Sequence, residues 1–217
     1  MAGQTAPPPR PHHTRRPKAR PEELIDAALA VFGEHGFRAA SLEEVARRAG
    51  VSKGTVYLYF ASKDDLFRAV VERKIVVLLE EGEALLADHE GTASDLLRRV
   101  VVRMHEAIEC RDMVRITRLV HAELAQFPEI RAFYWEHVIL RNRRLLTSIV
   151  ERGVAQGEFR PIAREVIPRA VPSLLIHQAQ LRFLYTDLDH DAPPPAEVVQ
   201  HTLEALLDGL RVTPRES

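Results

Sequence analysis

The stretch from Ser41 to Leu66, SLEEVARRAGVSKGTVYLYFASKDDL, leaves the backbone few options. Ser41 and Glu44 form a capping box, in which the serine serves an orphan amide and the glutamate reaches back to the cap. Leu42, Val45, Ala46 and Ala49 then recur at helical spacing and make one apolar face. Gly50 stands where a helix must stop and turn, because glycine accepts positive φ without a Cβ clash. Val51 fills the space between two helices, and Ser52 caps the second. That second helix, read here as Lys53 to Phe60, is about two turns long and buries Val56 and Phe60. Ser62 caps a third, with Asp64 and Asp65 in the first turn where the helix dipole favours anions. The result is two helices set across a tight turn, the second of them short and held outward.

The residues left on the outside of that short helix suit the major groove of double-stranded DNA. Amides at its N-terminus, Gly54 and Thr55, can meet a phosphate or approach base edges. Gly54 adds no side chain between backbone and groove. Lys53 can donate to guanine O6 and N7, and Thr55 can hydrogen-bond a base or touch a thymine methyl. The hydroxyls of Tyr57 and Tyr59 suit phosphate oxygens, and Lys63 stands ready to clamp the backbone. Net charge over the chain is only −1, so it is no broadly basic coat for nucleic acid. Residues 1–63, however, hold ten Lys/Arg against six Asp/Glu, which concentrates positive charge on the part that would face phosphate.

The segment GVSKGTVYLYFASKDDLF resembles the helix-turn-helix signature of TetR-family transcriptional regulators, and LIDAALAVFGEHGFRAASLEEVARRAG before it resembles that family's first two helices. The resemblance is strong over roughly residues 20–75. Carried over position by position, it implies DNA contacts at Ser41, Ser52, Lys53, Gly54, Thr55, Tyr57, Tyr59 and Lys63.

The rest of the chain reads as helix. Residues 1–20 are rich in proline and arginine and cannot form a packed core. They are read as a disordered arm whose Arg15, Arg16, Lys18 and Arg20 could enter a minor groove. Pro21 suits a first helical turn, and Leu24, Ile25, Ala28, Leu29 and Phe32 form a stripe facing the two later helices. A third motif-associated helix runs from Lys63 to about His89, long enough to act as a lever. Further helices are expected at Ala93–Glu109, Met113–Gln126, Glu129–Gln156, Glu165–Tyr185 and Ala196–Arg211, with Pro172 kinking its own. The fold class is therefore all-α. An N-terminal three-helix helix-turn-helix DNA-binding domain (21–66) is joined by the long helix to a C-terminal helical ligand-binding and dimerisation domain (67–211), with a short tail at 212–217.

ERGVAQGEFRP, Glu151 to Pro161, resembles the end of a long helix in TetR-type ligand-binding domains. That resemblance implies that the last two helices pair with a twin's, through residues such as Leu174, Leu175, Leu181, Val199, Leu203 and Leu206. A homodimer also follows from geometry, because one short reading helix makes too few base contacts, whereas two copies about 34–36 Å apart read a pseudo-palindromic operator. The resemblance further implies a pocket for a small-molecule effector of apolar character. Soft or polar residues within apolar helices are its candidate lining: Met104, His105, Met113, His121, Trp135, His177, Gln178 and Gln180. Function on this reading is that of a ligand-responsive repressor.

Other classes fit less well. His105-Glu106 lacks the second histidine of a helical zinc site, there is no P-loop or dinucleotide fingerprint, and Cys110 has no evident base, so neither an enzyme, a metal site nor a bound cofactor is expected. A helical protein-binding adaptor is the remaining alternative. The single cysteine excludes an internal disulfide. No apolar run approaches the ~20 residues that cross a bilayer, so no membrane partner and a cytoplasmic location are expected.

Overall fold

The computed structural model describes residues 21–185, 188 and 193–212, and these are helical almost throughout. The basic arm with Arg15, Arg16, Lys18 and Arg20 lies outside the described residues, as do 186–187, 189–192 and the end of the tail at 213–217. We label the helices α1 (Pro21–Ala39), α2 (Leu42–Arg48) and α3 (Lys53–Tyr57). α4 spans 63–88 as Lys63–Val71, a π-helical turn at Glu72–Val76, and Val77–Asp88. α5 is Ala93–Ile108 and α6 is Arg111–Glu123. α7 spans 128–155 as Pro128–Tyr134, a second π-helical turn at Trp135–Leu140, and Arg141–Ala155. α8 (Ala163–Tyr185) and α9 (Pro195–Leu210) complete the set.

Local chemistry places most of these ends. The side chains of Ser41, Ser52, Ser62 and Thr92 accept from the amides of Glu44, Thr55, Asp65 and Asp95, each three residues on. The Glu44 carboxylate, expected to reach back to the Ser41 cap, accepts from Arg47 instead. Pro128 and Pro195 open α7 and α9, where a missing N–H costs nothing. α1 breaks at Gly36, whose φ of 77° suits glycine. A Cβ there would also lie 2.1 Å from Glu123 Oε1. That carboxylate accepts the Arg38 amide at 2.9 Å and fastens the end of α1 to α6. α8 continues through both Pro168 and Pro172, so Pro172 does not end its helix.

Two hydrophobic cores result, and their division does not follow chain order. The first unites α1–α3 and the start of α4 with Met113, Ile116 and Leu119 of α6 and Ile130, Tyr134 and Val138 of α7. Phe37 is its centre, with ring centroids 5.4 Å from Phe32, 5.4 Å from Phe67 and 4.9 Å from Phe127. The second gathers α5, the later half of α7, α8 and α9. It includes Leu175, Val199 and Leu203, at 4%, 8% and 4% exposure. Their assignment to a dimer interface is thereby corrected, because a side chain already buried within one protomer has no area left to offer another. Leu206 is partly buried against the same core, while Leu174 and Leu181 remain exposed.

The phrase Glu151–Pro161 forms the corner of this second core. Gly157 turns the chain at φ 77°, and Phe159 is buried in an antiparallel bridge with Arg211. The Glu158 carboxylate accepts from the Ala93 amide (2.7 Å), the Ser94 amide (3.0 Å) and the Ser94 hydroxyl (2.8 Å), which caps α5 from a distant part of the chain. Burial works against its charge. The Ser94 hydroxyl and the two amides outweigh that and hold Glu158 below the usual carboxylate range. A depressed folded pKa stabilises above the unfolded pKa and is lost as pH falls through the folded one. Glu158→Gln is therefore expected to cost about 1–2 kcal/mol at neutral pH. Melting curves should show that gap closing as pH drops through and below the carboxylate range. A gap independent of pH would remove the charge from the account.

Candidate DNA-reading face and effector cavity

α2 and α3 pack through Val45, Ala46, Val51 and Val56, all buried, so α3 is carried on a rigid support. The helix is shorter than the sequence suggests. It ends at Tyr57, and Leu58–Tyr59 form a turn that leads to Phe60, packed partly against the first core. Lys53, Gly54, Tyr57 and Tyr59 are exposed beside one another, as is Ser41 at the start of α2, and Val56 alone of α3 is wholly inside. Leu58, 83% exposed, shares this face, where its methyls could meet a thymine methyl. Sequence reading passes over it because a leucine offers DNA no polar group, although in helical register it stands four residues after the exposed Gly54.

Several of these groups already have partners. Lys53 pairs with Glu43 on α2 and lies 5.5 Å from the Tyr57 ring centroid, so a phosphate or base must displace an exposed carboxylate to reach it. The Thr55 hydroxyl is 2.8 Å from Ser52 Oγ and belongs to the cap, leaving its methyl as the freer group. Lys63 corrects its reading as a clamp held out toward the backbone. Its ammonium donates to the Arg38 and Ala40 carbonyls at 3.0 and 3.1 Å and sits 4.7 Å from the Phe37 ring centroid. It closes the end of α1 against α4, and only its third proton remains for a phosphate.

Where the two cores meet, a cavity of about 110 Å³ opens. Ile75, Met113, Tyr134 and Val138 reach it from the first core, and Val100, Leu145 and Met104 from the second. Ile75 and Val138 each belong to one of the two π-helical turns. Burial in this apolar setting pushes the Tyr134 hydroxyl up to about 12, so it stays protonated. Arg103 stands at the edge, paired with Glu81 and Glu106 at 2.9 and 2.8 Å. Lys74, in the first π turn, bridges Asp26 of α1 and Asp112 of α6 at 2.8 and 2.9 Å, tying α1, α4 and α6 together.

Of the residues expected to line a pocket, Met104 and Met113 do line this cavity. His121, His177 and Gln180 instead border an adjoining space between α6, α7 and α8. Gln178 faces a groove between α8 and α9. His105 and Trp135 are corrections: neither lines these spaces. Trp135 is exposed, with the Arg143 guanidinium 5.1 Å from its ring centroid, and Arg182, close to His105, pairs with Glu109. Periodicity marks the inner side of a helix but not which inner residues border a void.

Comparison with known proteins agrees with this arrangement. Residues 24–70 match the profile of bacterial regulatory proteins of the tetR family, and residues 95–207 that of the C-terminal domain of AefR-like transcriptional repressors. The uncharacterized HTH-type transcriptional regulator YfiR of Bacillus subtilis is 31% identical over 66% of this chain and 69% of its own length. The HTH-type transcriptional repressor KstR2 of Mycolicibacterium smegmatis is 28% identical over 70% and 73%. In fold, the chain is similar to the transcriptional regulator FadR from Bacillus subtilis in complex with stearoyl-CoA, with a TM-score of 0.74, 22% identity and coverage of 88% and 99%.

Proposed function

Because this chain belongs to the TetR family of bacterial transcriptional regulators and is a ligand-responsive, DNA-binding repressor, we propose that its effector is an apolar molecule seated in the cavity between the two cores. The observation that carries this reading is the cavity's position. Its walls come from both cores, and both π-helical turns contribute to them. A molecule there contacts the lever α4 along Ile75, Leu78, Leu79, Gly82 and Leu85 while resting on α5 and α7. A relative shift of the cores then moves α3, which is rigidly part of the first. Ligand can drive that shift only by its differential affinity for the two arrangements. The stearoyl-CoA held by FadR, a protein of similar fold, supports an acyl-type occupant.

DNA reading by a homodimer completes the proposal. Leu174 and Leu181 lie exposed on α8, and two α3 helices set about one helical turn of DNA apart would read a pseudo-palindrome. Operators selected from random duplexes provide the assay, read by fluorescence anisotropy. Apolar acyl compounds are expected to release the operator from the wild type. Ala107→Phe places a ring in the existing void. It should keep operator affinity within about threefold and lose at least about tenfold in response to the same compounds, the latter about 1.4 kcal/mol of ligand affinity. A variant that responds at wild-type concentrations would place the effector elsewhere, and wild-type protein with no sequence preference would end the reading.

A further inference from the structure

We propose that the space adjoining the apolar cavity is a headgroup subsite, and that the effector is an amphiphile whose apolar chain carries a phosphate-bearing head. This inference rests on the apolar-effector reading above. The two spaces share three lining residues, Asn142, Pro172 and Ile176, and on this proposal the chain passes to its head there, at a neck between them. On one side lies the apolar seam. On the other lies a larger space of about 430 Å³ between α6, α7 and α8, bordered by Arg143, Arg169, His177 and further polar side chains. Among the described residues no aspartate or glutamate lines it.

The charges there are available. Arg143 has no carboxylate partner among the described residues and rests on the Trp135 ring, a contact that a stronger anionic partner can replace. Arg169 holds Glu165 one turn back on α8 at 3.0 Å, but that pair is exposed and therefore weak. At the neck, the Asn142 carboxamide oxygen is buried with no hydrogen-bond partner. Buried polar atoms are rarely left so. A donor placed where chain joins head would satisfy it. Proline at 172 has no N–H, so the helix forms no bond from this residue to the residue-168 carbonyl, and α8 can bow around the opening. An apolar cavity alone would accept any hydrocarbon. Joined through this neck to two arginines, it selects one with a dianionic or polyanionic end.

Three ligands sharing one chain test this with the full-length protein: dodecanoyl-coenzyme A, dodecanoyl lysophosphatidate and uncharged monododecanoylglycerol. Direct binding is read by calorimetry, and the emission of Trp135, the chain's single tryptophan, reports displacement of Arg143. At least one phosphate-bearing ligand should bind about tenfold or more tighter than the uncharged one and shift the Trp135 signal, and Arg143→Gln/Arg169→Gln should erase that margin. Whichever of the two binds tighter names the source of the head, a coenzyme thioester or a lipid. If the double variant melts well below the wild type, Arg169→Gln alone, which leaves the Trp135 stack intact, should still lose part of the margin. Equal binding of all three ligands, an unmoved Trp135 signal or a margin that survives in the variants overturns the headgroup subsite and leaves the apolar effector standing. Failure of all three to bind removes the apolar effector as well.

Discussion

Gly54→Ala is expected to fold as well as the wild type, or slightly better, and to bind operator at least about tenfold more weakly. Nothing inside the protein requires glycine at this position. Its φ is not positive, and a Cβ would meet only Ser52 Oγ, at 3.8 Å. Alanine lowers the entropy of the unfolded chain and suits the first turn of α3, worth about 0.4–1 kcal/mol in favour of the folded state. The same methyl would stand on the exposed side of α3 between Lys53 and Tyr57. There it holds the helix N-terminus away from phosphate and stretches amide-to-phosphate hydrogen bonds beyond about 3.2 Å. Each such bond to a charged group is worth roughly 1.5–3 kcal/mol, so even one lost is enough for the expected effect. Thermal melts and anisotropy titrations on the same preparations separate the two contributions. Wild-type operator affinity in the variant would show that α3 does not enter the groove by its N-terminus.

Gly153→Ala should have the opposite signature, a large loss of stability at a site far from DNA. The added Cβ would lie 2.2 and 2.5 Å from ring atoms of Phe159 and 2.9 Å from the Ala93 Cβ. Phe159 is fully buried, and the backbone on either side of it is held by the bridge to Arg211, so its ring has little room to retreat. Overpacking of this severity costs about 3 kcal/mol or more, which for a chain of this length lowers the melting temperature by about 6–12 °C. A companion change, Phe159→Leu, should recover part of the loss by withdrawing the ring. A variant melting within a degree or two of wild type would mean that α7 and α5 can separate at this corner without penalty.

The two glycines show how far residue types speak for themselves. Both stand in helices, and sequence pattern treats them alike. Gly54 was legible as a point of close approach because its neighbours, Lys53, Thr55 and the tyrosines, carry DNA-compatible chemistry at a helix start. The need for Gly153 becomes visible only when Phe159 and Ala93 are brought against it. Lys63 makes the same point about charge. Its sequence neighbours suggest a phosphate clamp, yet the carbonyls it serves belong to Arg38 at the end of α1 and Ala40 just beyond it.

By itself the sequence determined the helices, their caps and the outward face of α3. These depend on bonds between residues three or four apart and on which residues are apolar, and such interactions are encoded where they occur. Tertiary structure decided the rest. It joined the head to α6 and α7 in one core and drew Leu175, Val199 and Leu203 away from the surface. It also opened a cavity along the seam of two cores and set Arg143 and Arg169 around the space that adjoins it. A void has no residue of its own: it exists where side chains from five separate helices fail to fill the space between them, and no local pattern records that failure.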